Sequence, residues 1–205
     1  MILNEVGLEC EYWLVDGNKI IEAPSYNFSA DEMGFLIEIR SAWGSDPESI
    51  VISISGQLEA AKTKAKSLGF SIECKAYKEI DENWQRYIAN KYKHSEIEDR
   101  TRNIYNATYS HHTGLLAGRA TAGCHVHFSR WDTEKEDYYR FTEAEIESIV
   151  GKMDRRLATY IGATTRISGE WEPKPYHGGF EYRSLPGNVP LLDVAKIALE
   201  ILSDT

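Results

Sequence analysis

The chain has no apolar run approaching the roughly 18 residues of a membrane-spanning helix, and no run of lysine or arginine. The first absence argues against a membrane protein. The second argues against nucleic acid as a partner, since non-specific binding needs clustered cations and here 23 bases face 32 acids, for a net charge of −9. An acidic protein can still handle a polyanion when metal ions supply the positive charge. Cysteine is sparse: Cys10, Cys74 and Cys124 form an odd set without zinc-type spacing. Two of the three fall on apolar faces of predicted strands, so buried, reduced thiols are expected. No basic-then-apolar leader pattern precedes the first strand-like segment, and the cytoplasm is the expected compartment. Internal repeats and low-complexity segments are also lacking.

What is present is a soluble globular balance, 42% hydrophobic and 27% charged over 205 residues. That suffices for a single domain, 1–205, with a real core. Residues 2–15 alternate, with Leu8, Cys10, Tyr12 and Leu14 on one face and Glu9, Glu11 and Trp13 on the other. Asp16-Gly17-Asn18 reads as a hairpin turn and Lys19–Ala23 as the returning strand. A further strand is expected over Asp31–Arg40, with Phe35, Ile37 and Ile39 opposed to Glu38 and Arg40.

Asp46 and Pro47 suit a helix N-cap and first turn. The stripe Ile50, Ile54, Leu58, Ala61, Ala65 and Leu68 follows, and Gly69 can end the helix. Phe70–Tyr77 reads as another strand. Residues 78–120 lack a sustained period and are expected to form an irregular crossover with a short helix around Trp84–Tyr92. The adjacent His111 and His112 would face opposite sides of a strand, so they read as loop rather than metal ligands.

In Gly123-Cys124-His125-Val126-His127-Phe128-Ser129 two histidines alternate with apolar residues. Both imidazoles would point one way, about 6.5–7 Å apart at two strand rises. A capping box at Thr142–Glu145 opens a helix with Ile146, Ile149, Val150, Met153, Leu157 and Ile161 inward. A loop over 163–178, carrying Arg166, Lys174 and His177, leads to an alternating strand, Phe180–Leu185, and Pro190 begins a last helix.

Four predicted strands thus share one property: apolar residues on one face, and Glu9 and Glu11, Glu38 and Arg40, His125 and His127, or Glu181 and Arg183 on the other. Any one of them is the ordinary exposed face of an antiparallel sheet. Paired, they would converge within metal-binding distance. The fold class expected is α+β: a curved antiparallel sheet with helices packed on one face and an open charged face. Several carboxylates with one or two imidazoles suit Mg²⁺ or Mn²⁺ better than zinc, and arginine forks match phosphate or carboxylate.

GLECEYWLVD resembles the G-x-E-x-E strand of glutamine synthetase-type enzymes, AGCHVHFS their G-x-H-x-H segment and GGFEYRSLP their E-x-R segment. DEMGFLIEIR is similar to the intervening acidic strand of the glutamate–cysteine ligase branch. The four stand in the family's order and cover under a fifth of the chain. Together with the ending EYRSLPGNVPLLDVAKIALEIL they look most like the compact carboxylate–amine ligase-like proteins (amidoligases), many of them phage-encoded.

This resemblance implies a glutamine synthetase-like catalytic fold and an ATP-dependent ligase that forms an amide through an acyl phosphate. It implies Glu9, Glu11, Glu38, His125 and Glu181 as ligands of Mg²⁺ or Mn²⁺, with His127 and Arg183 contacting ATP phosphates. Arg183, Glu181 and Arg40 would act in catalysis, Arg40 and Arg119 being candidate carboxylate or phosphate contacts. Asp31 is a looser match to a second acidic ligand. The family's ammonium-site loop and arginine cluster have no match, and Arg166 and Lys174 are the available nucleotide contacts in their place. The nitrogen donor expected is therefore an amino acid, amine or peptide. Related enzymes place active sites near subunit interfaces, which admits a homo-oligomer. Three alternatives stay open: a His-x-His zinc or iron hydrolase or oxygenase, a guanidino-type phosphotransferase on the same fold, and a non-catalytic binding domain.

Overall fold

The computed structural model describes residues 1–30, 35–92, 101–105, 115–116, 119–161 and 168–205. In chain order the strands are β1 (Ile2–Asp16), β2 (Lys19–Ile20), β3 (Ile37–Arg40), β4 (Ser71–Glu73), β5 (Tyr77–Glu79), β6 (Arg102–Asn103), β7 (Leu115–Leu116), β8 (Arg119–Thr121), β9 (Gly123–Asp132), β10 (Asp137–Tyr138), β11 (Glu170–Lys174) and β12 (Gly179–Pro186). Among the described residues the α-helices are α1 (Pro47–Ser67), α2 (Glu82–Tyr92), α3 (Glu143–Arg156), α4 (Ala158–Ile161) and α5 (Leu191–Ser203). None of them is long and apolar enough to cross a membrane.

The main sheet runs β2-β1-β9-β12-β11-β6, with β3 and β4 also on β1 and β10 on β9. Every pairing in it is antiparallel. The alternation of the sequence decides which face is covered. Leu8, Cys10, Tyr12 and Leu14 of β1, Cys124, Val126 and Phe128 of β9, and Phe180 and Tyr182 of β12 share one cluster with Ile50 and Ile54 of α1, Ile149 and Met153 of α3, and Val194 and Ala198 of α5. Each large side chain buried in this layer contributes about 1.5–3 kcal/mol. Phe128 and Phe180 stack with ring centroids 4.8 Å apart. The three helices expected on this face are there, with the expected ends: the Asp46 side chain accepts the Ser49 N–H at 2.9 Å, and Thr142 and Glu145 form a reciprocal capping box. Cys10 and Cys124, paired across β1 and β9, are both buried free thiols.

Several expectations are corrected. The strand after the Gly17 turn is two residues long, because Pro24 has no N–H for a ladder and instead opens a short 3₁₀ turn, Ala23–Tyr26. The Phe70–Tyr77 strand is broken into β4 and β5. Phe35 does not share the face of Ile37 and Ile39; with Leu36 it joins a second core containing Trp13, Val15, Ile20, Ile80, Ile88, Ala120 and Ala122. Ile80, Ile88 and Ala120 of that core come from the stretch expected to be an irregular crossover. A small sheet, β5-β8-β7, and α2 fold over the Trp13 end of the polar face, and Trp13 Nε1 donates to the Lys75 carbonyl at 2.9 Å. The charged part of the polar face lies along Gly7–Glu11 of β1 and the residues paired with it, where Glu9, Glu11, His125 and Glu181 are buried and Arg40 is exposed. His111 and His112 lie outside the described residues.

Candidate functional site

Strand register places the charged side chains. Glu9 is paired with Arg40 of β3 on one side and His125 of β9 on the other, so Arg40, Glu9 and His125 form one row. Gly7, His127, Glu181 and Glu172 form the next, across β1, β9, β12 and β11. Glu11 stands opposite Glu38. A register shift in β12 follows Tyr182, and Arg183 there reaches back to both Glu181 and Glu172. Close approach sets the spacing. A Cβ on Gly179 would overlap the Phe128 carbonyl oxygen, and one on Gly7 would stand 3.5 Å from the Trp43 indole, which lies over that strand.

Glu9, Glu11, Glu172 and Glu181 are each less than 9% exposed, so their charges persist only through partners. Arg40 binds Glu9 at 2.7 Å and Glu38 at 2.6 Å. His125 Nδ1 is shared by Glu9 at 3.2 Å and Glu181 at 2.8 Å. Glu181 also takes Lys174 Nζ at 2.5 Å and Arg183 at 2.5 Å, while Glu172 takes the same two cations at 3.1 Å each. Glu11 accepts the Gly123 N–H, which ties the start of β9 to β1.

The titration behaviour follows from this crowding. Burial raises Glu181, but Arg183 and His125 outweigh it and hold the carboxyl well below the usual range. Glu9 is likewise held low: burial raises it, and the imidazoles of His125 and His127 beside it outweigh that burial. Glu38 goes the other way: burial, then the charge of Glu9, push it up to about 8, with Arg40 offsetting only part. For His125, burial and Arg183 act downward, and Glu181 and Glu9 overcome them to bring it up to about 9. Lys174 is raised too, the two glutamates prevailing over burial. Among the described residues, five carboxylates (Glu9, Glu11, Glu38, Glu172, Glu181) thus gather with three cations (Arg40, Lys174, Arg183), and the raised values of His125 and Glu38 follow from that excess of acid.

Among the described residues, Glu9, His127 and Glu181 present ligand atoms that all lie within 4.8 Å of one another. His127 Nε2 is buried and accepts or donates no hydrogen bond, although Glu9 Oε2 lies 3.3 Å and Glu181 Oε2 3.9 Å away. A nitrogen facing two carboxylates without a well-aligned proton between them fits a cation, and two oxygens with one imidazole fit Mg²⁺ or Mn²⁺. His125, 1% exposed, stands behind this group and braces both carboxylates.

Beside His127 is a cavity of about 220 Å³ lined in part by Arg40, Trp43, His127, Lys174, Tyr176 and His177. Trp43 lies edge-on to His127 with ring centroids 5.9 Å apart. Tyr176 is 92% exposed at its rim.

Of the residues singled out in the sequence, Glu9, Glu11, Glu38, Arg40, His125, His127, Lys174, Glu181 and Arg183 are brought together. Arg119 is not: it lies over Tyr77 on the small sheet, 3.6 Å from Glu79. Arg166 and Asp31 lie outside the described residues. Glu172, which joins this cluster through Lys174 and Arg183, was not expected from the sequence. Its signal was the alternation Glu170-Trp171-Glu172-Pro173-Lys174, obscured by a proline that argues against a strand. β11 tolerates Pro173 because β6 pairs only with Glu170 and Trp171.

No family model matches the chain, and no curated protein does. Among solved structures, apo GmaS without ligand is similar over 99% of this chain and 53% of its own, with a TM-score of 0.47 and 11% identity. The chain therefore spans about half the length of that protein.

Proposed function

We propose that the protein is an ATP-dependent carboxylate–amine ligase, and that the charged cluster around Glu9, His127 and Glu181, with the cavity beside it, is its active site. The observation that carries this reading is His127 Nε2, buried without a hydrogen bond against Glu9 and Glu181, within a surplus of carboxylates and beside an aromatic, cation-lined cavity. Glu9, His127 and Glu181 would hold a divalent cation; Glu11 and Glu38 are further acidic ligands available to it or to a second ion. The resemblance assigns the metal to His125 and the phosphate to His127. The geometry favours the exchanged division, with His125 bracing the two carboxylates. Bound Mg²⁺ or Mn²⁺ would neutralise phosphate oxygens and so lower the barrier to phosphoryl transfer.

The protein's own groups do the rest. Arg183 and Lys174 would stabilise negative charge on the transferring phosphoryl group. Arg40, 67% exposed at the rim, would receive the substrate carboxylate. Trp43, Tyr176 and His177 give the cavity walls suited to a planar group joined to an anion, as in a nucleotide. The substrate carboxylate attacks the γ-phosphoryl group, ADP leaves, and an amine then displaces phosphate from the acyl phosphate to form the amide.

A zinc or iron reading would require both imidazoles on one ion. Among the described residues only His127 joins the carboxylates in such a group.

Hydroxylamine tests the reaction without knowledge of the natural amine. Incubated with ATP, Mg²⁺, hydroxylamine and a panel of amino and dicarboxylic acids, the protein is expected to form a hydroxamate and one equivalent of ADP with at least one acid. ADP release that ignores the acid, or that persists in Glu9→Ala, contradicts the assignment.

A further inference from the structure

Lys174 and Glu172 stand outside the three residues that would hold an ion, yet Lys174 pairs with Glu181 and Glu172 stands opposite it. Each oxygen of Glu181 already carries cations: Oε1 has Arg183 at 2.5 Å and His125 Nδ1 at 2.8 Å, and Oε2 has Lys174 Nζ at 2.5 Å. Oε2 is also the oxygen nearest His127 Nε2, at 3.9 Å. The ammonium therefore sits on the oxygen that an ion shared with His127 needs. Glu172 is paired with Glu181 across β11 and β12 and already touches Lys174 through Oε1 and Arg183 through Oε2, each at 3.1 Å.

We propose that Lys174 is a displaceable counter-cation of the ion-free site, and that Glu172 is a positioning residue which retains Lys174 when a divalent cation claims Glu181. This rests on the cation site described under the proposed function. No covalent bond changes; one of two ion pairs is given up and the other kept. The exchange keeps the buried carboxylate neutralised in both states, since an unpaired buried charge is costly. It also leaves Lys174 with half its anionic partners, on the wall of the cavity beside His127, when a polyphosphate arrives. Lys174 thus competes with the cation and assists the anion.

The test is titration of the intact protein with Mn²⁺ alone, for the wild type, Lys174→Gln, Glu172→Gln and the double variant, with thermal unfolding of each. Lys174→Gln is expected to tighten Mn²⁺ about tenfold, and Glu172→Gln to weaken it several-fold. A simple field effect would make the two changes additive. Displacement predicts coupling, so that Glu172→Gln loses most of its effect once Lys174 is gone. Unchanged or weaker Mn²⁺ binding in Lys174→Gln, or additive changes, overturns the proposal. Lys174→Met, which also removes the charge, replaces the glutamine variant if that one does not fold. Failure of the underlying site looks different: the wild type does not bind Mn²⁺, or Glu181→Gln binds it as well as the wild type does.

Discussion

Glu181→Gln is expected to reduce ATP-dependent turnover by about a thousandfold or more and to destabilise the ion-free protein by roughly 2–3 kcal/mol. The side chain is isosteric, so packing in β12 survives and the effect is electrostatic. Glu181 is 1% exposed and carries Lys174, Arg183 and His125. Without its charge, Lys174 and Arg183 still meet Glu172, and His125 still meets Glu9. Breaking a buried pair costs about 3–5 kcal/mol; Lys174 is 30% exposed and keeps a partner, which lowers the figure. The pH dependence has a definite sign. The folded-state value of Glu181 is depressed, so its contribution is fully present above the ordinary carboxylate range and fades as pH falls towards that depressed value. Urea denaturation of the wild type and the variant should therefore diverge at pH 7 and converge in strong acid.

Glu38→Gln is expected to do the opposite to stability and the same to function. Burial and Glu9 raise Glu38 from 4.5 to about 8. A carboxyl raised on folding favours the native state only below its unfolded value, and that advantage is lost as pH rises through the folded value. At pH 7 the native protein must hold a proton that the unfolded chain would release. Glutamine mimics the protonated form, and is expected to stabilise the ion-free protein by about 2 kcal/mol at pH 7, after a discount for partial exposure. The gain should shrink to nothing near pH 4 and grow up to about pH 8. Arg40, 67% exposed, lies 2.6 Å from Glu38 but also binds Glu9, so the lost pair subtracts little. Turnover should fall, because a surplus of acid is what a cation site needs. Denaturation at pH 4.5 and 7 beside ATP turnover checks both halves; a variant less stable at pH 7 contradicts the account. Glu181 and Glu38 are thus predicted to shift stability in opposite directions, one charge being satisfied in the fold and the other opposed.

The division of the main sheet into an apolar and a charged face was legible in the sequence, because a strict period of two leaves little choice of side. Glu9, His125, His127 and Glu181 come together as their alternation implies, and the caps at Asp46 and Thr142 place α1 and α3 correctly. Trp13 shows what alternation cannot tell. It lies on the same face as Glu9 and Glu11, yet is fully buried in a second core made by residues distant in sequence. Local pattern assigns a side chain to a face; what later covers that face depends on tertiary contacts. Glu172 was hidden for a different reason. Pro173 forbids one ladder bond, and only the shortness of β6 makes that harmless. The roles of the two histidines were also beyond the pattern. Equal spacing suggests equal work, whereas His125 sits against Glu9 and Glu181 through Nδ1, at 3.2 and 2.8 Å, and His127 turns Nε2 to the same carboxylates at 3.3 and 3.9 Å, beside the cavity.

The central claim is that the crowded carboxylates hold a divalent cation which in turn holds ATP. Calorimetric titration with a non-hydrolysable ATP analogue, with and without Mg²⁺, tests it most directly. Binding is predicted in the presence of Mg²⁺, to be lost when the metal is chelated, and to be absent in Glu181→Gln. Binding that is indifferent to the metal, or intact in Glu181→Gln, would contradict the account.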